Sequence, residues 1–312
     1  MSVVKSIQAA WRKNASDISG LWDGSFPDFV TALRPKEILA GVPVFCYHVV
    51  EERRLRGDLR FLRTNGYHTL SGDEFLAHLK GERAIPPRSV LLTFDDGPRN
   101  FYDVAFPLLR GFHARAIHFI APGLHAERGA KDMALSERPM NWDELREIHA
   151  SGLVQFQSHT YESRYVPRWP DIAVLAGCLY EIEESRRARP LDLRQDLLKA
   201  RETIEAQLPG ATANHLSFPM YVGTPAAVEL ARSLDIQACY WGQIPRRALN
   251  RAGDSPYFIS RISDEYLRRL PGEGRSSIAD MVKERAHRIR LAREWRRRYG
   301  AGPAPAQQQA SG

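Results

Sequence analysis

The 312-residue chain contains no uninterrupted apolar run approaching the roughly 18 residues that a membrane-spanning helix requires. A spanning helix is therefore not expected. Cysteine is scarce: Cys46, Cys178 and Cys239 are odd in number, widely separated and set among apolar neighbours. That usage excludes a disulfide framework and a cysteine metal motif, and it reads as reduced thiols in the core of a cytoplasmic protein. Near the amino terminus, Lys5, Gln8 and Arg12 interrupt the apolar pattern before an export-signal core of adequate length forms, which adds to the cytoplasmic expectation. No internal repeat is visible. Excess positive charge is local and not general: the net charge is +7, and residues 281–298, with eight Lys/Arg against two Asp/Glu, carry +6 of it. No nucleic-acid-binding motif accompanies this charge, so nucleic acid is not an expected partner.

The 43% hydrophobic content suits one large domain with extensions. Short apolar runs near 42–47, 89–94, 116–121, 153–158, 214–218, 236–241 and 257–261 read as strands. Between them, helix-period segments fall near 54–66, 73–80, 100–113, 141–151, 191–208 and 225–233, with a last one near 275–299. This alternation predicts an α/β fold, a parallel sheet with crossover helices, and seven such strands suit a (β/α) barrel. The expected organisation is an N-terminal helical extension (1–40), a barrel (41–275), a basic amphipathic helix (276–299) and a disordered tail (300–312). The basic helix either packs its apolar stripe of Ile289, Leu291, Ala292 and Trp295 on the domain or lies, through 281–298, on an anionic membrane surface. Residues 161–190 read as a long loop or lid.

The chemistry concentrates at residues 91–97, Leu-Leu-Thr-Phe-Asp-Asp-Gly, an apolar strand ending in two carboxylates and a glycine. Strand alternation sends Asp95 and Asp96 to opposite faces unless the chain already bends there, so one is expected to bind a cation and the other to handle a proton. A pair of solvated turn acids before Pro98 is the other reading of the same residues. Barrel topology gathers the strand ends carrying His48, Asp95, Asp96, His159 and the stretch 218–221 at one face.

Taken in order, the motifs Val42-Pro-Val-Phe-Cys-Tyr-His48, Thr93-Phe-Asp-Asp-Gly-Pro98, Ser158-His-Thr160 and Leu216-Ser-Phe-Pro-Met-Tyr-Val-Gly223 resemble those of the polysaccharide deacetylases. This is carbohydrate esterase family four, the NodB-homology domain, and the resemblance is nearest to its biofilm poly-N-acetylglucosamine deacetylase branch. It covers roughly residues 40 to 275, and ordered co-occurrence is far more specific than any single motif. The resemblance implies a distorted (β/α) barrel of about seven strands. It assigns Asp95 as catalytic base, Asp96 and His159 as ligands of a divalent metal, most simply Zn2+, and His48 as the acid for the leaving amine.

Two departures matter. The family's second metal histidine is missing, because Ser163 and Arg164 stand where it is expected. Three explanations stay open: Glu162 ligates instead, the metal is held by two residues and water, or the site has decayed. The groove-wall motif also lacks its arginine, with Ser217 or Phe218 at that place. An apolar wall of Phe218 and Pro219, with Tyr221 as a substrate-facing hydroxyl, is expected to push a neighbouring carboxylate upward in pKa. Arg261, at the end of the last strand, is a candidate to reach the substrate pocket or to pair Asp95 in place of the lost arginine, and its role stays open, whereas Arg275 reads as part of a turn. The expected function is metal-dependent deacetylation of an N-acetylated saccharide, with that saccharide as partner. The competing expectations are a silent glycan-binding or scaffolding barrel and a deformylase or amidase acting on a smaller amide.

Overall fold

A computed structural model describes residues 26–38, 41–125, 138–161, 192–281, 283 and 290. Its strands are β1 (Val44–Tyr47), β2 (His68–Thr69), β3 (Ser89–Phe94), β4 (Ala116–Ile120), β5 (Val154–Ser158), β6 (His215–Ser217), β7 (Ala238–Tyr240) and β8 (Ile262–Ser263). A short α1 (Asp28–Thr31) precedes them, and α2 (Glu52–Thr64), α3 (Gly72–Leu79), α4 (Phe106–Phe112), α5 (Trp142–Ala150), α6 (Leu193–Gln207) and α7 (Pro225–Ser233) connect them. The strands form a parallel sheet in the order β7-β6-β5-β4-β3-β1-β8, with β2 pairing the start of β3. Among the described residues no helix is long and apolar enough to cross a membrane.

The two end strands are joined through one irregular segment. Residues Pro256 to Ile259 bond β7, with Ile259 N–H donating to the Cys239 carbonyl (3.0 Å) and Trp241 N–H to that of Ile259 (2.9 Å). Three residues later, Ile262 and Ser263 pair with Phe45 and Cys46 of β1. The ring thus closes as a distorted (β/α) barrel, and the last regular strand falls at 262–263, beyond the 257–261 expected. The reason is that the segment changes partner at Ser260 and Arg261, so neither half is long enough for the apolar pattern to mark it. Buried Asn250 holds this crossover: its amide donates to the carbonyls of Val42 (3.2 Å) and Ser260 (2.9 Å), and its oxygen accepts from Ser260 N–H (2.9 Å). The two-residue β2 also escapes a pattern reading, since one exposed and one half-buried residue carry no periodicity.

Period-two alternation divides the core. Val44, Leu91, Ile117, Phe119, Ala238, Tyr240 and Ile259 fill the barrel interior as one cluster. Their neighbours Phe45, Tyr47, Val90, Leu92, Phe94, Ala116, Ile120, Val154 and Phe156 point outward into a second cluster against the helices. Several helices start on side-chain caps: Ser71 forms a reciprocal capping box with Glu74, Asn141 forms one with Glu144, and Thr224 caps α7. Where a plain helix was expected over 100–113, Phe101–Ala105 is a π-helical turn that runs into α4. The described part of the amino-terminal extension is pinned to the far end of the chain. Arg269 and Arg275, the latter expected only in a turn, donate to the carbonyls of Phe29, Val30 and Ala32 at the end of α1. Of the basic carboxy-terminal segment, residues 278–281 are helical, and the tail 300–312 lies outside the described residues.

Replacing Asn250 by Ala should orphan the buried N–H and carbonyl of Ser260, while the Val42 carbonyl keeps the Asn250 N–H (3.3 Å), and should destabilise the fold by about 2–4 kcal/mol, read as a lowered urea midpoint with an unchanged slope. Burial drives the imidazoles of His118 and His215 down to about 3 and that of His125 down to about 4. These folded values lie below the unfolded value of about 6.5, so the stability tied to the neutral rings is complete above that pH and is lost as pH falls toward the folded values. The unfolding free energy should therefore fall between pH 7.5 and pH 5, by about 1.4 kcal/mol per histidine per unit below 6.5, read as a lowered urea midpoint. A flat profile over that range would contradict the neutral assignment.

Candidate active site

The inward parity of the strands selects the site. Leu91, Thr93 and Asp95 share the interior face of β3, and Val44, Cys46 and His48 that of β1. Gln155, Gln157 and His159 do so on β5, His215 and Ser217 on β6, and Ile259 and Arg261 on the closing segment. At the carboxyl ends of the strands these rows deliver His48, Asp95, His159, Ser217 and Arg261 to one mouth.

Asp95 is fully buried and paired with equally buried Arg261: Nη1 donates to Oδ1 (2.8 Å) and Nη2 to Oδ2 (2.9 Å). The guanidinium donates further to the Trp241 carbonyl from Nε (2.9 Å), to Ser217 Oγ from Nη2 (2.8 Å) and, longer, to Thr93 Oγ1 from Nη1 (3.4 Å). All five N–H groups of the fork thus have acceptors. Burial alone would raise the Asp95 pKa, but the Arg261 cation outweighs it, helped by His159 and His48, and the carboxyl sits well below the usual carboxylate range. The expected apolar wall that raises a carboxylate is therefore corrected. The arginine missing from the groove-wall motif is supplied by Arg261 on the closing segment beside β7, and Ser217 on β6 is small enough to leave room for it.

Asp96 has φ +73° and Gly97 repeats that value, so strand alternation stops at Asp96. Aspartate tolerates this left-handed conformation, and Gly97 is needed because a Cβ there would come within 2.6 Å of the His125 ring. The bend resolves the parity problem of adjacent carboxylates: Asp95 stays buried inside while Asp96, half exposed, places Oδ1 3.5 Å from Nε2 of His159. His159 is held by its own N–H to the Ile120 carbonyl (2.8 Å) and by Nδ1 at 3.0 Å from the Ser217 carbonyl. A carbonyl only accepts, so Nδ1 carries the proton and Nε2 is the nitrogen turned toward Asp96. One carboxylate oxygen and one oriented imidazole nitrogen are a donor set that fits a divalent cation.

His48 is half-buried, and Tyr221 Oη lies 3.1 Å from its Nε2. Met220 and Tyr221 both have positive φ, and Gly242 makes room for the turn, since a Cβ there would meet Tyr221 Cβ at 2.8 Å. Phe218 is buried edge-on against Trp241, and Pro219 is buried beside it, so both underpin this turn, while Tyr221 is 41% exposed at the mouth. Glu162, with Ser163 and Arg164, lies outside the described residues. Cys46, not singled out from the sequence, has Sγ 3.5 Å from Asp95 Oδ2, and burial raises its thiol so that it acts as a proton-bearing neighbour. Its position two before His48 on an inward row is the signal that could have found it. Donor atoms of Cys46, His48 and Asp95 lie within 4.8 Å of one another, but both Asp95 oxygens are engaged by Arg261, which leaves Asp96 and His159 as the candidate pair for a cation. A cavity of about 370 Å³ lined by Leu59, Tyr67, Glu74 and Arg115 shares no residue with this site.

The sequence profile of the polysaccharide deacetylases matches residues 82–239, about half of the chain. The chain belongs to the polysaccharide deacetylase family. Within this deacetylase family, the poly-beta-1,6-N-acetyl-D-glucosamine N-deacetylase of Escherichia coli (strain K12) is 31% identical over 122 residues, 37% of this chain and 18% of that protein. The enzyme of that name from Staphylococcus aureus (strain MSSA476) is 27% identical over 113 residues, 36% of this chain and 37% of its own. The chain thus spans well under half the length of these curated relatives. Among solved structures, IcaB from Ammonifex degensii superposes with a TM-score of 0.58 at 24% identity, covering 74% of this chain and 95% of that one. The BpsB deacetylase domain from Bordetella bronchiseptica gives 0.54 at 21% identity, covering 73% and 97%. These likenesses establish the barrel fold.

Arg261→Met should leave the buried Asp95 charge without a partner and cost about 3–5 kcal/mol of stability. Adding Asp95→Asn should recover most of that loss in a double-mutant cycle of urea midpoints. Simple additivity of the two changes would mean that the pair is not the coupled unit described.

Proposed function

We propose that this deacetylase-family chain is a metal-dependent hydrolase that removes acetyl groups from an N-acetylated polysaccharide, in exopolysaccharide synthesis. The observation that carries the reading is the division of the two adjacent aspartates. Asp95 is locked and ionised by Arg261, and Asp96 is turned out of the strand to face the Nε2 of His159. The curated relatives, named as poly-beta-1,6-N-acetyl-D-glucosamine N-deacetylases, support the substrate class.

Asp96 and His159 would hold the cation, Zn2+ by ligand type, and the segment carrying Glu162 would supply any further ligand. When bound, such a metal lowers the pKa of water and polarises an acyl oxygen. Asp95 is unprotonated at neutral pH and is oriented as a proton acceptor by both arms of Arg261. The same depression makes it a weak base, which suits a water that is already acidified. His48, with its Nε2 turned to the Tyr221 hydroxyl and a ring nitrogen within 4.8 Å of an Asp95 oxygen, stands beside Asp95 as donor to the departing amine. Burial and the nearby Asp95 charge keep the Tyr221 phenol protonated, so it offers a hydrogen bond to sugar or to developing negative charge. The proposed setting is the cytoplasmic face of a membrane, which the free thiols Cys46 and Cys239 and the basic segment 281–298 suit.

The test combines metal content with acetate release from poly-β-1,6-N-acetylglucosamine oligomers. Zinc-reconstituted wild type should bind close to one metal per chain and release acetate, and Asp96→Ala should lose both. Asp95→Asn should keep the metal and lose acetate release by about 1,000-fold or more. Absence of bound metal from wild type would favour a silent glycan-binding barrel, and activity confined to small amides would favour the amidase reading.

A further inference from the structure

One residue touches both halves of this site through different atoms. Ser217 ends β6, is wholly buried, and has its backbone fixed in the sheet by pairing with Tyr240 and by the bond from Phe218 N–H to the Tyr240 carbonyl (3.1 Å). Its carbonyl oxygen accepts the Nδ1 proton of His159 at 3.0 Å, which sets the tautomer and the direction of Nε2. Its side-chain Oγ accepts from Nη2 of Arg261 at 2.8 Å, the same nitrogen that holds Asp95 Oδ2 at 2.9 Å. The spacing between the cation-side imidazole and the base-side guanidinium is thereby set within a single residue of a rigid strand.

We propose that Ser217 is a positioning residue that registers the proton acceptor Asp95 against the cation pair Asp96–His159, acting through Arg261 on one side and His159 on the other. The inference rests on the deacetylase reading for its kinetic consequence, and its structural half can be read without substrate. The hydroxyl fixes the second arm of the guanidinium fork. Without it, Nη2 keeps Asp95 as its remaining partner and the fork is free to tilt about the Asp95 carboxylate. The backbone carbonyl that orients His159 survives any substitution at this position, so the two functions of the residue can be separated.

Ser217→Ala should lower kcat by about tenfold with KM little changed, because a small misorientation of the base acts on the transition state more than on binding. Zinc affinity by calorimetric titration should stay within about threefold of wild type, since the carbonyl remains. Ser217→Thr, which keeps the hydroxyl on a strand-compatible side chain, should restore most of kcat. A solely packing role would instead be rescued equally by Thr and Val, so Ser217→Val is the control. In urea unfolding, Ser217→Ala and Arg261→Lys should be non-additive, because the donor served by the hydroxyl is already lost in the lysine variant. The proposal is overturned if Ser217→Ala is wild-type in kcat, if Thr and Val behave alike, or if the stability effects simply add. A wild type that binds zinc yet releases no acetate would instead remove the deacetylase reading, and the stability cycle would still decide whether Ser217 and Arg261 act as a unit.

Discussion

A buried carboxylate on its own would take up a proton, because an ionised oxygen pair removed from water is unfavourable by far more than folding can tolerate. In this barrel Asp95 keeps its charge because Arg261 meets both of its oxygens and has every other N–H satisfied by the Trp241 carbonyl, Ser217 and Thr93. The interaction needs Arg261 to stand at the point where the closing segment leaves β7 for β1, and Asn250 stabilises that departure. Closure of the barrel and ionisation of Asp95 therefore depend on the same few residues. A lysine has three donors on a flexible stem and cannot reproduce that fork, so the identity of this residue is constrained more tightly than its charge.

Against that fixed pair, the second aspartate is defined by contrast. The left-handed turn at Asp96 and Gly97 takes one carboxylate out of the barrel wall and leaves the other inside. Two chemically identical side chains adjacent in sequence thus acquire different solvation, different partners and different tasks. His159 is aimed from the neighbouring strand by a backbone carbonyl, which leaves its outer nitrogen facing Asp96. On the proposed reading, the arrangement would separate a proton-handling position from a cation-holding position across a few ångströms of a rigid sheet edge, the separation that hydrolytic chemistry at an amide requires.

Much of this was legible before any coordinates. The apolar runs that became β1, β3, β4 and β5 are buried on both faces, and such strands announce themselves by composition. Asp95, His48 and His159 were legible as strand-end polar residues because parallel topology sends all such ends to one face. The closing segment was misplaced by a few residues because it divides its hydrogen bonds between two strands, and β2 was missed because two residues hold no period. The expectation of an apolar wall beside Asp95 failed because Arg261, 44 positions from Ser217, fills the gap in the motif, a pairing that the sequence offered as a candidate and left open.

The sequence by itself determined the alternation of strands and helices, the inward row on each strand and the order of the motifs that mark the family, because these follow from periodicities of two and 3.6 and from residue types at short spacing. Only the tertiary structure decided which inward residues meet: that Arg261 belongs to Asp95, that Ser217 serves both Arg261 and His159, and that Asp96 turns outward beside an imidazole. Those pairings depend on where the barrel closes and on one left-handed backbone turn. Both are set by the summed packing of the whole sheet, which no short window of sequence contains.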